Sequence, residues 1–135
     1  MKRLVLVFAF LSMVWAAAAA PEWKSAKGIY YFVVEDISKG KDVTLPFNQS
    51  LTDTNFSVVI IGKGNGNFDI DAVVYNSDGT ISKDDVNVEP LSVITTILKG
   101  QNPIIKVLCT SGRGKAIIYA GDTGKVLKMF AQTVI

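Results

Sequence analysis

Asn65, Asn67, Asp69 and Asp71 occupy alternate positions of the run Asn65-Gly66-Asn67-Phe68-Asp69-Ile70-Asp71. Successive side chains of an extended chain point to opposite faces, so these four oxygen-bearing groups could converge on one side of a strand and its leading loop. Calcium takes six to eight oxygen ligands in irregular geometry, which makes the set a candidate calcium site. It is not an EF-hand. Counting from Asn65 or Asn67, the sixth position falls on Ile70 or Ala72, where that loop needs glycine. The plainer reading, which we prefer, is that Asn and Gly shape a turn while the two aspartates solubilise an outer face. Asp69 and Asp71 are also the best candidates for a catalytic pair. Two residues apart on one face, they lie within about 7 Å of each other, a spacing that glycoside hydrolysis does not forbid. Trp23 is the only tryptophan beyond residue 20, however, and few exposed aromatics remain to stack on sugar rings. No residue is assigned a catalytic role.

The chain has no histidine and a single cysteine among its 135 residues. That removes histidine-based triads, histidine-ligated metals, intrachain disulfides and cysteine-rich zinc motifs together. Cys109 falls in a run with strand character, on the same face as Ile105 and Val107, and reads as a small buried hydrophobe. Apolar residues make up 49% and charged residues 19%, the composition of a globular protein with a core.

Residues 1–20 read as an export signal. Met1-Lys2-Arg3 gives a basic start, Leu4 to Trp15 is apolar except for Ser12, and Ala16 to Ala20 supplies the small residues of a cleavage site. The apolar stretch is shorter than the roughly 20 residues of a membrane span, so no stable membrane insertion is expected after cleavage before Ala19 or Ala20. The mature chain, 21–135, is then secreted or periplasmic. Lys2 and Arg3 carry two of the 14 basic charges, leaving 12 against 12 acidic ones. A neutral domain without a basic cluster has no general attraction for nucleic acid.

The elements that must position these residues are short strands. Runs at 29–35, 41–47, 56–61, 68–76, 85–88, 92–98, 104–110, 115–120 and 126–133 are rich in Val, Ile, Phe, Tyr and Thr. Glycine, asparagine and aspartate clusters at 38–40, 62–67, 76–79, 99–102, 111–114 and 121–124 separate them as turns. The 111–115 stretch lacks the phosphate-loop pattern and reads as a hairpin turn rather than an anion nest. The fold class is all-β: a single antiparallel β-sandwich, jelly-roll-like, of about 8–9 strands. On 68–76, Phe68, Ile70, Ala72 and Val74 share the core face, and Asp69, Asp71, Val73 and Tyr75 the other. Val126–Ile135 is read as a closing strand at a sheet edge, although its first five residues also have helical spacing. Asn48-Gln49-Ser50 and Asn55-Phe56-Ser57 match the N-glycosylation acceptor pattern.

The stretch Phe68-Asp69-Ile70-Asp71-Ala72-Val73-Val74-Tyr75-Asn76-Ser77-Asp78-Gly79 resembles the central strand and turn of bacterial pre-peptidase C-terminal domains and their collagen-binding relatives. The order of strands is similar too, with Tyr30-Tyr31-Phe32 early and 104–110 leading through glycine into 115–120. Where those domains have a Gly-x-Tyr-type entry into the late strand, this chain has Gly100-Gln101-Asn102-Pro103-Ile104. The resemblance implies a jelly-roll-like sandwich on an exported protein, with Asp69 and Asp71 at the matching acidic positions.

The expected function is that of an exported, non-catalytic binding or accessory module. It contacts protein or carbohydrate through Asp69, Asp71 and Tyr75, with calcium at Asn65, Asn67, Asp69 and Asp71 as an open question. Two alternatives stand beside it. One is a structural envelope or surface subunit that self-associates through edge strands, Val126–Ile135 first, giving a homo-oligomer. The other is a small exported glycan hydrolase using the paired aspartates.

Overall fold

Valine, isoleucine, threonine and the aromatics crowd the extended runs, and their side chains fit a pleated, half-buried surface. In the computed structural model, which describes residues 22–26, 28–88 and 91–134, those runs form seven strands and a helix. They are β1 (Lys24–Ala26), β2 (Ile29–Ser38), β3 (Asp42–Pro46), β4 (Asn55–Tyr75), β5 (Ile81–Val88), β6 (Leu91–Ile97), β7 (Ile104–Asp122) and α1 (Thr123–Val134). The expected signal at 1–20 lies outside the described residues. All pairings are antiparallel, in the order β1-β2-β7-β4-β5, with β3 added to β7 and β6 to β4. Among the described residues, no helix is long and apolar enough to cross a membrane.

β4 has 21 residues and β7 has 19. A straight strand of that length spans about 70 Å, yet Phe56, Val58 and Ile60 from the start of β4 share one core with Ile70, Ala72 and Val74 from its end. The β4–β7 ribbon therefore folds back on itself, and its partners change at the fold. β6 lies along Asn55 to Ile61 of β4, and β5 along Ile70 to Tyr75. β2 lies along Arg113 to Ala120 of β7, and β3 along Ile104 to Leu108. The result is a β-sandwich. Its first layer holds β1, β2, β6 and the paired start of β4 and end of β7; its second holds β3, β5 and the other half of the ribbon.

The corner corrects the expectation of turns at 62–67 and 111–114. Pairing runs unbroken from Phe56 opposite Asp122 to Asn65 opposite Arg113, then resumes at Asp69 opposite Ser111. Gly66, Asn67 and Phe68 thus face Gly112 alone, a bulge that bends the strand. Asn67 and Gly112 take positive φ there, 58° and 75°. Gly64 sits directly opposite Gly114, and a Cβ on Gly64 would collide with the Arg113 carbonyl and stand 2.8 Å from the Phe68 ring. These glycines serve a close crossing of strands under an aromatic cover, so they extend the ladder instead of ending it.

Between the layers, Phe47 meets Trp23, Phe56 and Tyr30 with ring centroids 5.2, 5.2 and 5.6 Å apart. Trp23 donates its indole N–H to the Pro46 carbonyl at 3.0 Å. Cys109 is buried beside Ile105 and Val107 and is a free thiol, as its place on the core face of the strand required.

The closing strand expected at Val126–Ile135 is instead α1. Val126, Met129 and Phe130 recur at helical spacing and pack with Ile29, Val59, Ile61 and Tyr119 on the outer face of the first layer. The loop before α1 is fixed by Asp122, buried at 7% exposure. Its carboxylate accepts the Thr52 and Asp53 backbone N–H groups at 3.0 and 3.1 Å and the Thr52 hydroxyl at 2.8 Å. An edge strand at this terminus is therefore excluded as a route to oligomers.

Candidate functional site

The alternation expected on 68–76 holds from Asp69 to Tyr75, while Phe68, expected in the core, falls in the bulge and is half-buried against that core. Ile70, Ala72 and Val74 are buried, while Asp69, Asp71, Val73 and Tyr75 are half-buried on the opposite face. Directly opposed residues of antiparallel strands share a face. The register therefore extends this surface across three strands. Asp71 faces Leu108, which faces Asp42; Val73 faces Lys106, then Thr44; Tyr75 faces Ile104, then Pro46. Ile81 of β5 lies opposite Tyr75 and is 60% exposed. None of these side chains is buried. On the middle strand Ile104 and Leu108 are apolar and flank Lys106. Lys106 and Asp42 form a loose ion pair at 3.9 Å. Such a surface offers an aromatic ring, aliphatic area and carboxylates to a ligand laid across the strands.

Asp69 sits at the corner, where its Oδ2 accepts the Thr110 hydroxyl at 3.1 Å. A depression of about 410 Å³ beside it is lined by Asn67, Phe68, Asp69 and Ser111. Asp71 is not part of that wall. Asn65 lies across the bulge, opposite Arg113, and lines a separate groove. The bulge breaks the alternation on which convergence of the four groups depended. Among the described residues, no three Asp, Glu, Cys or His side chains gather to hold a metal ion.

That separate groove, about 450 Å³, holds residues that the linear reading did not connect. Lys63, Arg113 and Lys115 line it with Glu35 and Asp36. They come from three separate stretches of chain, and the registers of β4 and β2 on β7 assemble them. No basic cluster is visible along the chain; folding makes one. Arg113 binds Asp36 in a fork, Nε at 2.8 Å and Nη2 at 2.6 Å, and these hydrogen bonds hold the Asp36 carboxyl below its usual range.

No protein-family model matches the chain, and no curated protein matches it in sequence. Similar solved structures include PliG of Aeromonas hydrophila, a periplasmic lysozyme inhibitor of g-type lysozyme. It is 9% identical, with a TM-score of 0.47, over 76% of this chain and 93% of that one. A mutant of CBM29-2, a family 29 carbohydrate-binding module, is 13% identical, with a TM-score of 0.39, over 76% of each chain. A family 43 arabinoxylan arabinofuranohydrolase from Bacillus subtilis is 12% identical, with a TM-score of 0.33, over 76% of this chain and 22% of that one. Function does not travel with likeness of this degree.

Proposed function

We propose that the protein is an exported, non-catalytic binding module that contacts protein or carbohydrate through the outer face of its second layer. The observation that supports this most is the row of Asp71, Val73 and Tyr75. It stands beside Leu108, Lys106 and Ile104 on a broad sheet face that leaves every one of these side chains accessible. We do not assign the paired aspartates to catalysis: the depression beside Asp69 is walled by Asn67, Phe68 and Ser111. The resemblance to pre-peptidase C-terminal and collagen-binding domains rests on the Phe68 to Gly79 stretch and the order of strands, and no family model supports it. The test is to incubate residues 21–135 with soluble oligosaccharides and with lysozymes, and to analyse the recovered probes. Retention of an intact probe supports a binder; cleaved glycan returns the hydrolase reading.

A second reading is favoured by a separate observation. Ile81, Val93 and Ile97 on β5 and β6 are 60%, 45% and 70% exposed, near where the two strands meet through the Ser82 and Thr96 hydroxyls at 2.6 Å, and exposed apolar side chains favour association. This moves the structural-subunit alternative from the C-terminus to β5 and β6. Sedimentation at rising concentration tests it: a dimer abolished by Ile97→Lys supports self-association, and a constant monomer removes it.

A further inference from the structure

Across the outer face of the first layer, the apolar row of Ile61 opposite Ile117 gives way to Lys63 directly opposite Lys115. Opposed residues have Cβ atoms about 5 Å apart, and like charges so placed destabilise the pair. Both lysines are exposed, and among the described residues neither has a carboxylate within ion-pairing distance. Arg113, in the next row, is already satisfied by Asp36. The groove that these residues line therefore presents two ammonium groups outside any ion pair against the single unpaired carboxylate of Glu35, a net positive charge, with the Asn65 amide at its edge.

We infer that the Lys63–Lys115 pair is an anion site for a carboxylate- or sulfate-bearing glycan. The acidic group bridges the two ammonium groups, and Asn65 meets neighbouring hydroxyls. A bridging anion removes the Lys63–Lys115 repulsion that Glu35 alone offsets only in part. Two free lysines on a chain whose charges balance after residue 20 do not make the extended basic stripe that tracks a nucleic-acid backbone. The site lies on the opposite layer from Tyr75, so it and the proposed binding face can fail independently.

The experiment titrates residues 21–135 with a heparin-derived hexasaccharide, inorganic sulfate and a single-stranded DNA hexamer at low salt. It then repeats the titration with Lys63→Gln, Lys115→Gln and the double variant. The hexasaccharide should bind more tightly than sulfate or DNA, and affinity should fall about two- to fivefold for each lysine removed. Tyr75→Ala should leave it unchanged. Each single lysine variant should melt no lower than wild type, since repulsion is relieved. Unchanged affinity in the double variant overturns the site, and equal binding of the DNA overturns the glycan assignment. A drop of several degrees in either single variant would mean that the lysines are structural and overturns the proposal as well.

Discussion

Replacing Asp122 with alanine removes a buried carboxylate that ties three parts of the chain together: the end of β7, the 51–53 loop and the start of α1. Its oxygens accept two backbone N–H groups and a hydroxyl at 2.8 to 3.1 Å, and Lys125 Nζ stands 3.6 Å away. Hydrogen bonds to a charged group are each worth about 1.5–3 kcal/mol. They are not additive, and Thr52 and Asp53 are exposed enough for water to replace the lost acceptor. A net loss of about 3 kcal/mol remains, which for a domain of this size lowers Tm by about 12 °C. Asp122→Asn keeps a carbonyl acceptor and should lose about half as much. The pH dependence separates charge from packing. Burial pushes the Asp122 carboxyl up, but the Thr52 and Asp53 hydrogen bonds and Lys125 outweigh it and hold the group below its ordinary value near 3.8. A lowered pKa in the folded state contributes stability that is complete above the unfolded value and is lost as pH falls through the folded one. The Tm gap between wild type and Asp122→Asn should therefore be widest near pH 7 and narrow below about pH 4. Calorimetric melts from pH 7 to pH 2.5 measure it. An Asp122→Ala protein that melts within about 2 °C of wild type, or a gap independent of pH, refutes the reasoning.

Other consequences can be checked with the same melts. Gly64→Ala should cost about 3 kcal/mol, because its Cβ meets the Arg113 carbonyl and the Phe68 ring across a crossing that cannot open cheaply; an unchanged Tm would show that the corner yields. Val126→Ala removes the fully buried anchor of α1 and should cost about 2 kcal/mol, with helical circular dichroism lost before the sheet signal. Melts in excess calcium and in chelator should superimpose, because Asn65 is parted from Asn67 and Asp69 by the bulge and Asp69 already accepts the Thr110 hydroxyl. A calcium-dependent rise of several degrees contradicts that and makes Asp69 and Asp71 ligand candidates.

The strands were legible because their chemistry is local. Alternation on Asp69 to Tyr75 settled which side chains enter the core, and the burial of Cys109 followed from its face. The corner was not legible in the same way. Gly62, Gly64 and Gly114 look like turn residues one at a time, and only their pairing across two distant strands shows that they permit a close approach under Phe68. The terminal helix fell between two readings for a related reason. The spacing of Val126, Met129 and Phe130 is helical, but the apolar patch that rewards it, Ile29 and Val59, lies on strands more than 60 residues earlier. For the same reason Lys63 and Lys115 could not be seen as neighbours, since 51 positions separate them and the register alone brings them together. Of the candidate site, the face of Asp71 and Tyr75 was visible in the alternation. The division of Asn65 from Asn67 and Asp69 was not, because a bulge depends on the partner strand.

Ligand binding by the outer face of the second layer is tested by comparing wild type with Tyr75→Ala on one array of glycans and secreted proteins, after melts establish that both fold equally well. Removal of an aromatic anchor from a binding face costs about tenfold in affinity. At least one probe should be retained by wild type and lost by Tyr75→Ala by that factor, with Asp71→Asn weakening the same probe. Equal retention of every bound probe by wild type and Tyr75→Ala, or an array that wild type leaves untouched, would contradict binding by this face.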